Sequence, residues 1–410
     1  MFSLPSVKRN FILILTSEAI FTIITQFYGV VGTIIVYGIT GSEALAGLGS
    51  GFVWGGRVAI AYVSGKIGDK YGRRTALLIS CGMTAAALLL MTYAVQSSST
   101  EILFPALVLL GLGFGAHQMS RVAVTDMFPS NKMGKAVGYL YTSGFLGSIL
   151  ATVFISLTTS NVMLPGLTMS ASAWILTVPL VLLTATSYAL LKPDPKEIGL
   201  TVSKMDKEHS KIEKAPRLSV SSLVRTFPVI ATNLSSATSN GAMIMVISLT
   251  SLLMYKYQIP LFLISLAVTI HVLGLYALAV PLGTLSDRYG KGKVMILGLA
   301  TSGLGALLTP LTSEYLVITL GVFLVGLGWS AVSVSSTILL SDLSPTQIRG
   351  RILGTNDMGN GLASLVFPLA GGAVIELGGY ITFGFFGLLV NLPAVLALTK
   401  LNEKHLTARK

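Results

Sequence analysis

The chain has 410 residues, of which 52% are hydrophobic and only 11% charged, with a net charge of +12 and a mean hydropathy of +0.78. A water-soluble fold of that length needs far more polar surface, so lipid is the expected solvent. The 28 lysines and arginines are dispersed along the chain and form no single basic face, which argues against a nucleic-acid partner. The one cysteine, Cys81, lies in an apolar segment and excludes an internal disulfide or a cysteine-based metal cluster.

A spanning helix needs about 20 mostly apolar residues. Twelve stretches meet that need: 11–38, 44–65, 75–95, 102–127, 135–157 and 171–191, then 228–254, 261–282, 293–311, 315–341, 351–376 and 381–399. Lys8 and Arg9 precede the first, and no small-residue cleavage site follows it, so it reads as a retained span. Between the sixth and seventh lies 192–227, with KPDPKEIGL and KMDKEHSKIEK, too polar for a bilayer. The chain therefore divides into a six-helix bundle over 1–191, a linker over 192–227, a second bundle over 228–400 and a tail over 401–410.

Apart from Arg57 and Arg121 inside spans and Lys256 in one opposite loop, every Lys and Arg falls at a terminus or in alternate connections. The positive-inside rule then places both termini and the linker in the cytoplasm of a multi-pass cell-membrane protein, with anionic lipid headgroups as partners of the basic loops.

The halves repeat. GKIGDKYGRR from Gly65 matches GTLSDRYGKGK from Gly283, pairing Gly65 with Gly283, Asp69 with Asp287 and Gly72 with Gly290 at one constant offset. GLGFG from Gly111 matches GLGWS from Gly326. In DMFPSNKMGKAVG, Asp126, Pro129, Gly134 and Gly138 recur at Asp342, Pro345, Gly350 and Gly354. Two repeated bodies of six helices imply a small-molecule cavity between them near the bilayer midplane.

With its two G-x-x-x-D-x-x-G loops, the whole chain resembles the major facilitator superfamily. The resemblance implies an all-α fold of two pseudo-symmetric six-helix bundles and a secondary carrier, not an enzyme, working as a monomer by rocker-switch alternating access. It implies that Asp69 caps a helix start in the opposite half and, with Gly65, Gly72, Arg73, Arg74 and Asp126, closes the cytoplasmic side. Gly283, Asp287, Gly290, Lys291 and Asp342 form the second copy of that gate. The drug-exporter pattern is departed from: Leu107 stands where those exporters carry an arginine, and GFLGS from Gly144 replaces their fifth-span kink. KPDPKEIGL is similar to a stretch in several organic-anion carriers.

An ionisable side chain in a span is a functional hypothesis by default. Glu18 lies about as deep in the first span as Arg121 does in the fourth, so the two are expected to pair. The pair either couples proton to substrate, with protonation of Glu18 freeing Arg121 for an anion, or is a static tie. Arg57 in the second span either contacts substrate or bridges Glu18 or backbone carbonyls. His117 and His271 are proton carriers or buried neutral histidines. Asp357, with Asn356 and Asn360, faces the cavity or the gate, and Gln26, Asn233 and Asn240 are neutral cavity candidates. Trp54 and Trp329 pack or line that cavity.

Gly326, Gly328 and Ala331 fit a loose dinucleotide fingerprint, but no strand precedes them, so they read as helix packing. No nucleotide loop, zinc-protease or hydrolase motif occurs, so no cofactor, metal or catalytic residue is expected. Two substrates fit the carrier: a small organic anion taken up with protons, or an amphipathic drug-like compound exported against them. A sensor on a transporter scaffold or a channel is the reading from another class.

Overall fold

The computed structural model describes residues 5–128, 130–160, 162–207, 220–344 and 349–401. Pro129, Pro345, linker residues 208–219 and tail residues 402–410 lie outside the described residues. Among the described residues every regular element is helical.

Helix α1 (Pro5–Phe27) continues through a single π turn, Tyr28–Gly32, into α2 (Thr33–Thr40). There follow α3 (Glu43–Tyr71), α4 (Arg73–Ser97), α5 (Thr100–His117), α6 (Met119–Asp126), α7 (Ser130–Ser160), α8 (Met169–Ile175) and α9 (Val178–Ala189). The linker is partly helical, as α10 (Pro195–Lys207) and α11 (Val220–Val224). The second half holds α12 (Phe227–Lys256), α13 (Leu261–Tyr276), α14 (Ala279–Tyr289), α15 (Lys291–Leu308), α16 (Tyr315–Leu343), α17 (Arg349–Leu389) and α18 (Leu392–Thr399).

Ten helical stretches among the described residues are long and apolar enough to cross a membrane. One, Ile352–Thr399, has 48 residues, about 70 Å of helix at 1.5 Å per residue and more than twice the hydrocarbon thickness. It breaks at Gly379, whose φ of 78° and ψ of 177° are not helical, and so makes two crossings. Leu261–Tyr276 and Pro281–Tyr289 form an eleventh stretch bent by 43°; Pro281 lacks the amide that would bond back to Ala277. These make the twelve spans.

Packing divides the chain into two units, Met1–Thr40 with Phe52–Glu213, and Gly41–Gly51 with Lys214–Lys410. In the first, α1 packs on α7 and α9, and α4 on α5 and α9. Phe27 meets Trp174 edge-on at 5.0 Å. GLGFG lets backbones approach: a Cβ at Gly111 would come within 2.8 Å of Val53 Cα, one at Gly113 within 2.9 Å of the Thr84 amide, and one at Gly115 within 2.6 Å of Arg57 Cα. In the second unit α12 packs on α16 and α17, and α15 on α16. There Gly326 abuts His271 and Gly328 abuts Gly298 and Ser302, which makes both packing residues. Leu146, Leu150, Val153 and Leu157 form one exposed apolar stripe along α7, the surface that acyl chains cover in place of water.

Candidate functional site

The first unit holds a buried polar chain. Glu18 on α1 accepts a hydrogen bond from Ser120 Oγ at 3.0 Å, and its Oε2 lies 3.1 Å from His117 Nε2. His117 Nδ1 lies 3.3 Å from the hydroxyl of Tyr188 on α9, which is fully buried. The His117 ring stacks on Phe21 at 3.6 Å and 2°. With Glu18 ionised, a neutral imidazole satisfies both neighbours when Tyr188 donates to Nδ1 and Nε2–H donates to Glu18. The helix breaks between α5 and α6 at Gln118, between the two groups that reach Glu18.

The expected Glu18–Arg121 pair does not form. Arg121 places its guanidinium 5.2 Å from the Tyr141 ring centre on α7. Depth along a span is legible from residue count, but each residue turns the side chain by about 100°, and that step carries Arg121 off the Ser120 face. Arg57 does not reach Glu18 either; its guanidinium stacks 4.0 Å from the Trp54 ring centre, one turn away on α3. Gln26 accepts from Ser148 Oγ at 2.5 Å, tying α1 to α7.

In the second unit His271 Nδ1 donates to the Val322 carbonyl at 2.6 Å and ties α13 to α16; Nε2 is buried without a hydrogen-bond partner among the described residues. Asn240 is a hub. Its amide donates to Ser364 Oγ at 2.7 Å and to the Asn360 carbonyl at 3.2 Å, and its Oδ1 accepts from Trp329 Nε1 at 2.9 Å. Because an indole N–H only donates, this contact fixes the amide's orientation. Asn233 Oδ1 and Asn356 Oδ1 are buried without a hydrogen-bond partner among the described residues. Asp357 is exposed.

The repeated loops build the same triad twice. Gly72 (φ 96°) precedes α4 and Gly290 (φ 101°) precedes α15, both left-handed as glycine allows. Arg73 donates from Nη1 to Asp69 at 2.6 Å and from Nε to Asp126 at 2.8 Å. Lys291 stands 3.8 Å from Asp287 and 3.6 Å from Asp342. The guanidinium fork spans two carboxylates with directed bonds, whereas the ammonium is a point charge. A Cβ at Gly65 meets open space, and one at Gly283 only Val334 at 3.6 Å.

The carboxylate at a helix start in this loop is Asp194. Its Oδ1 accepts from the Arg73 amide at 3.0 Å and Oδ2 from the Arg74 amide at 3.0 Å, capping α4. Oδ1 also takes the Lys196 amide at 2.8 Å, capping α10. Asp69 pairs with Arg73. Arg74 Nε is buried without a hydrogen-bond partner among the described residues. A second group missed by the sequence reading lies in the second unit. Lys256 pairs with Glu43, and Glu376 accepts from Ser42 Oγ at 2.7 Å and from the Ala44 amide at 3.0 Å. Helix termini carried the only signal for these: an Asp before Pro195 and an acidic residue beside Ser42.

The family model of the Major Facilitator Superfamily matches residues 11–249 and again 230–409. The chain belongs to the Major Facilitator Superfamily. Among its relatives in this superfamily, the uncharacterized MFS-type transporter YdeG of Bacillus subtilis (strain 168) is 23% identical over 366 residues, covering 88% of this chain and 84% of its own. The multidrug resistance protein MdtG of Escherichia coli O9:H4 (strain HS) is 28% identical over 344 residues, covering 82% and 80%. The fold is also that of the nucleoside transporter NupG, with a TM-score of 0.72 at 14% identity over 97% of this chain and all of NupG. A peptide transporter in complex with alafosfalin gives 0.71 at 13% identity over 96% and 94%. This Major Facilitator Superfamily member is therefore a multi-pass membrane transporter for a small molecule, not an enzyme.

Proposed function

We propose that the chain is a proton-coupled secondary carrier in the cell membrane, working as a monomer by rocker-switch alternating access, with Glu18 and His117 as its proton site. The observation that carries this is the partner of Glu18, a histidine and a serine in place of an arginine. A fixed cation beside a buried carboxylate holds the proton off; a titratable imidazole lets the pair take one up and become neutral. In the deprotonated state the pair is a net negative charge in a low-dielectric interior and attracts Arg121, one residue past Ser120. Once a proton neutralises it, Arg121 is released toward an organic anion. Uptake of a small organic anion with a proton follows.

The Asp69–Arg73–Asp126 triad, with its looser second copy, serves as the cytoplasmic gate, and the termini and linker lie on that side, as the distribution of basic residues supports. His271 and Asn240 are helix ties in this reading, while Asn233, Asn356 and Asp357 are substrate contacts from the second half.

A second reading is proton-driven export of amphipathic compounds, favoured by the similarity to MdtG over four-fifths of both chains. Proteoliposomes decide between them. With an acidic exterior, an anion–proton symporter concentrates radiolabelled organic anions in the lumen; with an acidic lumen, an exporter-type antiporter concentrates the dye ethidium there. Flux that does not saturate with either probe would mark a channel and overturn both.

A further inference from the structure

We propose that Asp194 is a positioning residue of the gate: by capping two helices with one carboxylate it locks the start of the linker onto the α3–α4 turn and holds Arg73 between Asp69 and Asp126. The proposal rests on the gating role given to that triad. Arg73 is gripped at both ends, its amide by Asp194 Oδ1 and its guanidinium by the two aspartates. Only 12% of the Arg73 side chain is exposed. Gly72 is required twice over, by its φ of 96° and because a Cβ there would sit 2.9 Å from Asp194 Cγ.

The segment around Asp194 is itself moored. Asn10 Nδ2 donates to the Pro193 carbonyl at 2.8 Å, and Arg9 donates to the Lys192 carbonyl. Lys196 Nζ donates to the Asp69 carbonyl, Ile198 is buried, and Gly199 faces Asp126, where a Cβ would lie 3.0 Å from the Asp126 Cβ. Residues 192–199 thus bear on Asp69, Arg73 and Asp126 together. A carboxylate that accepts three backbone amides satisfies donors that otherwise face water or go unpaired at two helix starts. Release of Arg73 during the cycle then requires movement of the linker's first helix, which makes that helix a working part of the gate.

The test is hydrogen exchange, read by mass spectrometry, on the full chain in lipid nanodiscs. In Asp194→Ala the amides of Arg73 and Arg74 should exchange about 2- to 30-fold faster, the range of lost helix caps, and the peptide 121–128 should loosen with them. Asp194→Asn, which keeps one carbonyl acceptor and the side chain's shape, should show a smaller increase in the same two peptides and an unchanged elution profile. Faster exchange confined to 195–201, with 70–76 and 121–128 as in the parent, would overturn the proposal. A separate variant isolates the underlying reading. Arg73→Gln should cut saturable proteoliposome flux of both radiolabelled organic anions and ethidium several-fold. Unchanged flux with both probes would sink the gating role while leaving the Asp194 clamp standing.

Discussion

A carboxylate in a membrane interior is tolerated only with partners, and the identity of the partner decides what it can do. Glu18 is held by His117 and Ser120, with Tyr188 behind the imidazole and Phe21 flat against it. Replacing His117 with Gln keeps a hydrogen-bond donor for Glu18 but removes the titratable ring. The expected outcome is proton-driven accumulation reduced at least tenfold, with substrate exchange at equal pH retained; loss of both together would mean that His117 only supports packing. Asn240→Ala in the second unit strips the acceptor from the Trp329 indole. A buried donor left unpaired costs about 1–3 kcal/mol, to be read as a lower melting temperature in detergent.

Glu18 and His117 were legible because a charged or titratable residue stands out in an apolar span. Ser120 and Tyr188 were not, because a hydroxyl in a span carries no signal of its own. The Arg121 pairing failed for want of azimuth: residue counting gives depth in the membrane, and only packing gives the side of the helix.

At the scale of elements, the glycines decide how closely helices approach and where they turn. Gly111→Leu would drive a side chain into the Val53 backbone between α5 and α3. Overpacking of this kind costs about 1–3 kcal/mol or more, and reduced melting temperature with intact membrane insertion is the expected result. Gly72→Ala would combine a φ of 96° with crowding against Asp194. Strain at such a position costs about 1–3 kcal/mol, and the amides of Arg73 and Arg74 should lose protection against exchange.

The span boundaries were readable from hydropathy, including the division near Gly379, where glycine ends one apolar run before another begins. The π turn at Tyr28–Gly32 was not, since one extra residue in a helical turn leaves the apolar pattern intact. Asp194 was hidden in plain view: a polar, Pro-punctuated segment reads as a tether, and its role as a cap appears only when α4 starts beside it.

For the whole molecule, the internal repeat was the most informative feature of the sequence. The loops that match in sequence also match in geometry, with left-handed Gly72 and Gly290 and a basic residue four positions after each first aspartate bridging to a second one. The copies differ in tightness, arginine bonds of 2.6 and 2.8 Å against lysine contacts of 3.8 and 3.6 Å. The buried titratable groups follow the same asymmetry, with Glu18 and His117 bonded to each other in the first unit and His271 in the second bonded to a backbone carbonyl. The proposed proton site therefore draws on the first half.

The most direct measurement is transport by Glu18→Gln in proteoliposomes under an imposed pH gradient, beside the parent chain. The expected result is that the parent concentrates substrate in a protonophore-sensitive manner, while the variant equilibrates it and no longer responds to the gradient. A Glu18→Gln protein that still concentrates substrate with the parent's pH dependence would contradict the proton site.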